Sequence, residues 1–261
     1  MPAAKACFVA FDTETTGTEV GSRLVEIGAV AFSQRGKIVS TYETLVDPAM
    51  PIPADVSQVH GITDADVVDA PYVREAINDF LSWLPPGVTL LAHNAPYDQD
   101  ILSLACSQAR RRLPRLPLLD TLTMARQMGA TAGNSLTTLV DAYGLPTPGP
   151  AHRALADAHA VYGYFQTVRG ATPAIPSTLT STWRHPRSLP PQLHNFPQAL
   201  AEGQSWSCTY CGASGNPSRP TIIPYGYAEY QGAIHFHGYH TYWHQRRSFR
   251  DDRILSPALR H

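Results

Sequence analysis

The stretch Ala6–Gly17, A-C-F-V-A-F-D-T-E-T-T-G, runs an apolar segment straight into Asp12 and Glu14 and closes on Thr15, Thr16 and Gly17. Ala6 to Asp12 reads as a short buried strand ending in a carboxylate, and the threonine- and glycine-rich tail reads as a turn. Side chains alternate along a strand, so acids at i and i+2 project from the same face, close enough to share a cation. An apolar run that leads directly into two acids places them at the edge of a sheet.

The neighbouring segments extend that sheet. Leu24 to Phe32 is apolar and rich in β-branched residues, Arg35-Gly36-Lys37 makes a polar turn, and Ile38 to Val46 alternates like a third strand, which together form an antiparallel meander. Pro51, Pro53 and Asp55 break the pattern before Val73, Ala76, Ile77, Phe80, Leu81 and Leu84 repeat at helical spacing. Thr89 to Ala92 reads as another buried strand, with a helix beginning near Asp98, and a strand-to-helix passage surrounds Leu118 to Met128. Ser135 caps a short helix that ends at Gly144, and a last helix runs from about Arg153 to Val168. Strands first and helices later give an α/β or α+β chain with a mixed sheet.

Two further acids stand in comparable positions. Asp98 closes His93-Asn94-Ala95-Pro96-Tyr97-Asp98 just beyond a buried strand, and Asp157 follows His152-Arg153-Ala154-Leu155-Ala156 at the start of the last helix. Within one helix His152 and Asp157 would lie roughly 140° apart around the axis. Gly149-Pro150-Ala151 instead places His152 on the loop before the helix, free to swing toward a site that Asp157 lines. That loop is expected to be mobile without substrate.

With these blocks in order, FDTETTG from Phe11, VHGIT from Val59, AHNAPYDQDIL from Ala92 and HRALADA from His152, residues 6 to 170 resemble the DnaQ-like 3'-to-5' exonucleases of the DEDDh type. The resemblance implies an RNase H-like mixed sheet flanked by helices. It makes Asp12, Glu14, Asp98 and Asp157 the metal-binding acids and His152 the general base. His93, the rival base, is given a structural role, while Thr15, Thr16 and Asn94 are candidates for holding the terminal nucleotide.

The chemistry fits the implied residues. Two divalent ions about 3.5 to 4 Å apart stabilise the attacking and leaving oxygens of an in-line phosphodiester displacement, and carboxylate oxygens suit hard Mg²⁺ or Mn²⁺. The attacking water still has a proton to lose, and a histidine, with an ordinary pKa near ~6.5, takes it at neutral pH.

Past residue 170 the composition changes. Residues 171–204 hold six prolines among polar residues and read as a linker, within which Gln192-Leu193-His194-Asn195-Phe196 faintly resembles a sliding-clamp-binding peptide. Residues 205–261 form a small module dense in aromatics and histidines, of a size that usually needs a staple. Trp206-Ser207-Cys208-Thr209-Tyr210-Cys211-Gly212 resembles a zinc knuckle, and Phe236 to Trp243 resembles the strand-to-helix corner of a treble clef. One structural Zn²⁺ is therefore expected on Cys208, Cys211, His237 and His240, with His235 and His244 as the other candidates. Aromatic residues beside Arg246, Arg247, Arg250 and Arg253 offer this module a nucleic-acid grip, against the plainer reading of a small aromatic core.

Of 261 residues, 43% are hydrophobic, which excludes a wholly disordered chain. Charge divides unevenly: residues 1–170 carry 12 basic against 17 acidic side chains, residues 171–261 carry 8 against 4, and all eight of those cations are arginine. No apolar run reaches the ~18 residues a membrane span needs, and the four cysteines do not suggest a disulfide framework, so a cytoplasmic protein is expected. The expected function is a two-metal exonuclease that releases nucleoside monophosphates from the 3' end of DNA, with a setting in replication, repair or nucleic-acid processing. RNA trimming is the alternative within enzymes. A non-catalytic binding protein of the same fold would lack an acid or the base, and none is missing.

Overall fold

The computed structural model describes residues 5–18, 22–129, 133–170, 177–180, 182–213 and 215–259. They divide into two compact units, the second beginning at Thr182. Among the described residues no helix is long and apolar enough to cross a membrane.

The first unit is built on six strands: β1 (Phe8–Thr15), β2 (Leu24–Phe32), β3 (Ile38–Leu45), β4 (Thr89–Ala92), β5 (Leu116–Asp120) and β6 (Ser177–Leu179). They order as β3-β2-β1-β4-β5-β6. The meander β1-β2-β3 is antiparallel, β4 and β5 continue parallel to β1, and β6 closes the edge antiparallel to β5. This is a mixed sheet with flanking helices, as an RNase H-like exonuclease fold requires. The helices are α1 (Ala54–His60), α2 (Asp64–Val67), α3 (Val73–Trp83), α4 (Ala95–Gln108), α5 (Thr121–Gln127), α6 (Leu136–Tyr143) and α7 (Ala154–Val168).

Strand alternation sorts the core into two layers. Val9 and Phe11 face α3 and α4 through Ile77, Phe80, Leu102 and Ala105, whereas Ala10 and Phe32 face α5, α6 and α7 through Met124, Leu139, Val161 and Phe165. All nine residues of β2 are buried, because the strand is covered on both faces.

The second unit is an antiparallel sheet. Its elements are β7 (Trp183–Arg184), α8 (Phe196–Glu202), β8 (Trp206–Cys211), β9 (Pro217–Ser218), β10 (Thr221–Tyr230), β11 (Ala233–His240), β12 (Gln245–Arg250) and β13 (Ile254–Leu259), with the main path β12-β11-β10-β8-β13. Phe196 packs edge-on to Trp206, Tyr227 and Phe236, so α8 covers the aromatic face of the sheet.

Three expectations change here. Of the stretch read as a linker, residues 171–176 lie outside the described residues, 177–179 add β6 to the first sheet, and Leu193, Phe196 and Ala199 belong to the second core. Leu193 and Phe196 are fully buried, which removes them from any clamp-binding peptide. The treble-clef reading also gives way. Cys208 and Cys211 lie within β8, and His237 and His240 within β11, where residues three apart point to opposite faces. The segment after β11 turns into a hairpin with β12 instead of a helix. Cys208 sits in the aromatic core, where burial pushes its thiol up to about 12, and the Cys211 thiol donates to the Gly215 carbonyl at 3.3 Å. His240 Nδ1 faces the backbone N–H groups of Tyr242 and Trp243 at 3.3 and 3.4 Å. Among the described residues, the four zinc candidates do not gather into a ligand cluster.

Candidate active site

Strand β1 carries the acids to the sheet edge. Asp12 pairs in register with Gly28 and Glu14 with Glu26 on β2, so the even positions of β1 face the same side as α7. Helix α7 reaches that side closely because Gly28 has no side chain: a Cβ there would lie 2.1 Å from the backbone of Ala154 and Leu155. The close approach sets Asp157, in the first turn of α7, beside the strand.

Glu26 fixes the same helix end from beneath. Its fully buried carboxylate accepts three hydrogen bonds from Arg153, the shortest at 2.6 Å, and a fourth from the Ala154 backbone N–H at 2.8 Å. A charge in mid-strand is tolerated because it is paired and hydrogen-bonded.

His152 precedes α7 in a left-handed conformation, φ 60°, which is uncommon for a non-glycine residue. Its backbone N–H donates to Asp157 Oδ2 at 3.2 Å. The histidine is thereby held outside the helix while its ring turns to the site: among the described residues, ligand atoms of Glu14, His152 and Asp157 lie within 4.8 Å of one another.

Asp98, in the first turn of α4, is buried and accepts from the Thr13 hydroxyl at 2.7 Å. Tyr97 extends this tie. Its hydroxyl donates to the Gly17 carbonyl at 3.0 Å and lies 2.7 Å from the Thr15 hydroxyl. The Thr15 and Thr16 hydroxyls serve the local turn, Thr15 donating to Gly17 and Thr16 accepting from the Arg23 N–H. Asn94 is exposed and left-handed at the start of α4, its N–H donating to Asp120, which also caps α5. His93 is held at both ring nitrogens, by Thr121 and by the Asn134 carbonyl, and burial lowers its pKa.

Electrostatics show what the acids lack. Burial, reinforced by Asp98, Glu14 and Asp157, holds Asp12 well above the usual carboxylate range. Burial and then Asp157 and Glu26 raise Glu14 to about 8, and burial raises Asp98 to about 7 against the Thr13 hydrogen bond. Asp157 is raised by burial too, with His152 opposing. Crowded acids that resist ionising together form a donor set for cations, and the all-oxygen chemistry fits Mg²⁺ or Mn²⁺.

The sequence reading missed Glu26, Arg153, Tyr97 and Asp120, which position the acids. Glu26 alone left a signal, as the one charge in an otherwise apolar β2.

A cluster of acids at the edge of a mixed sheet is the kind of site with which phosphodiester-cleaving nucleases hold cations. A family model described as Exonuclease, RNase_T, matches residues 9–165. The DNA polymerase III subunit epsilon of Treponema pallidum is 37% identical over 165 residues, 62% of this chain and 75% of that protein. An epsilon-like protein of Rhodobacter capsulatus is 38% identical over 161 residues, 60% of this chain but only 23% of that protein. The nuclease domain of 3'hExo, described as a DEDDh family member bound to rAMP, superposes with a TM-score of 0.55 at 15% identity, covering 64% of this chain and 95% of that one, a likeness of fold. The chain belongs to the RNase_T exonuclease family and is a 3'-to-5' exonuclease. Exonucleases of this kind use divalent metal ions.

Proposed function

We propose that the protein removes nucleoside monophosphates from the 3' end of DNA, with Asp12, Glu14, Asp98 and Asp157 holding two divalent ions and His152 as general base. The observation that carries this is the convergence of Glu14, His152 and Asp157 on one point, beside acids that burial and mutual repulsion leave short of positive charge. When bound, the ions would supply stabilisation of the attacking and leaving oxygens of the phosphodiester. His152 takes the proton of the attacking water and, being exposed, returns it to solvent. Asp157 orients His152 through its backbone N–H. Asn94 meets the terminal nucleotide with its exposed amide, while Thr15 and Thr16 keep the adjoining turn in shape. The likeness to epsilon subunits supports DNA as substrate and a replicative complex as the setting.

The test is digestion of 5'-labelled single-stranded DNA and RNA of identical sequence with Mg²⁺ or Mn²⁺, alongside Asp12→Ala. The expected result is a ladder shortening from the 3' end of the DNA and absent in the variant. Faster RNA shortening would overturn the DNA preference, and no metal-dependent shortening of either strand would overturn the enzyme.

A further inference from the structure

The tip of the β11–β12 hairpin departs from ordinary turn chemistry. His240 and Gln245 pair across its base, and the loop between them is Thr241-Tyr242-Trp243-His244. Turns of this kind usually recruit Gly, Asn, Asp, Ser or Pro, which satisfy local backbone geometry. Here two large aromatics stand in solvent, Tyr242 at 80% and Trp243 at 54% exposure. A tyrosine that exposed adds little to the core, so folding does not account for it.

The tip is nonetheless held in shape. Thr241 N–H donates to the Thr221 carbonyl at 3.0 Å, His244 N–H donates to the His240 carbonyl at 2.9 Å, and the His240 ring lies 4.3 Å from the Trp243 ring in a stacked arrangement. The Arg247 guanidinium sits 5.4 Å from the centroid of Trp243. Aromatics on a braced turn lose little conformational freedom when a ligand arrives.

Charge selects the ligand. From Tyr230 to Arg250 the chain holds no acid, three arginines and four histidines. Exposed aromatic faces beside cations suit a strand whose bases are free to stack and whose phosphates need neutralising. A duplex hides its base faces and would use only the cations.

We infer that this hairpin tip is a contact site for single-stranded nucleic acid, with Tyr242 and Trp243 stacking on bases and Arg246 and Arg247 meeting phosphates. The choice of nucleic acid over other partners rests on the exonuclease reading above.

The test is fluorescence anisotropy of the full chain with 5'-fluorescein oligo(dT), oligo(U) and a hairpin duplex, in EDTA to prevent hydrolysis. Tyr242→Ala with Trp243→Ala is expected to weaken single-strand binding roughly five- to hundred-fold, with Tyr242→Phe preserving it. Arg246→Glu with Arg247→Glu is expected to lower the salt slope by about two, a readout independent of the aromatic variants. Single-strand affinity within about two-fold of wild type in both double variants would overturn the proposal. So would equal loss on the duplex after the aromatic substitutions, or no single-strand binding by the unaltered protein at low salt. If the unaltered protein binds the strand in EDTA but does not shorten it with Mn²⁺, the exonuclease reading fails and the contact stands.

Discussion

Gly28 shows how one missing atom positions an active site. Because a Cβ at 28 would overlap the backbone of Ala154 and Leu155, Gly28→Ala must push α7 outward and carry Asp157 with it. We expect a loss of about 1 to 3 kcal/mol, read as a lowered Tm, and a larger fall in kcat than the stability loss explains. His152 is tested differently. His152→Ala is expected to lower kcat by about 10² to 10⁴ while leaving the fold's Tm close to wild type; a variant that keeps wild-type kcat would assign the base elsewhere. The roles proposed for the four acids and His152 rest on the family resemblance, whereas their positions, where an apolar run ends or a helix begins, were legible in the sequence. Glu26 was not, since its partner Arg153 is 127 residues away and only the fold joins them.

The junction of β2 and α7 is fastened by that pair. Glu26→Gln keeps the shape but removes the charge that faces Arg153 and weakens the four hydrogen bonds at the helix start. With Arg153 side chain 37% exposed, solvent screens part of the loss, and we expect about 1 to 3 kcal/mol by denaturant titration. A midpoint unchanged from wild type would show that Gly28 packing alone seats the helix. Alternation revealed β3 and helical spacing α3, a continuous apolar run revealed β2, and caps or stops bounded α6 and α7. These signals missed α1 and α2, where Pro51 and Pro53 read as breakers although Pro53 sits at the N-cap of α1, and Ile52, Ile62 and Val67 build a small core of their own. The C-x-x-C left its strand unread for a related reason: spacing alone does not distinguish a knuckle from a strand, and Cys208 lies within β8 among the aromatic residues of the second core.

Across the protein, stability and catalysis pull on the same acids. Raised carboxylates stabilise the fold while protonated, so their contribution is full below the unfolded values near ~4 and is lost as pH climbs through about 7 for Asp98 and about 8 for Glu14. Buried neutral histidines act in the opposite window. His60 and His93 have lowered pKa values, burial being the main cause, so their contribution is present above ~6.5 and is lost as pH falls through their folded values. In EDTA the Tm should therefore decline from about pH 6 to pH 9. Mg²⁺ or Mn²⁺ held by the ionised acids of the folded state, as proposed, would flatten or reverse that decline. Asp12→Asn separates the two effects: in EDTA it should melt above wild type at pH 8, where it relieves repulsion, and close to wild type at pH 5, where the cluster already carries protons. Scanning calorimetry at the two pH values, with and without Mn²⁺, reads all of this together. A wild-type Tm that rises between pH 6 and 9 in EDTA would mean that the acids ionise without strain, and the cluster would then have no electrostatic reason to call for cations.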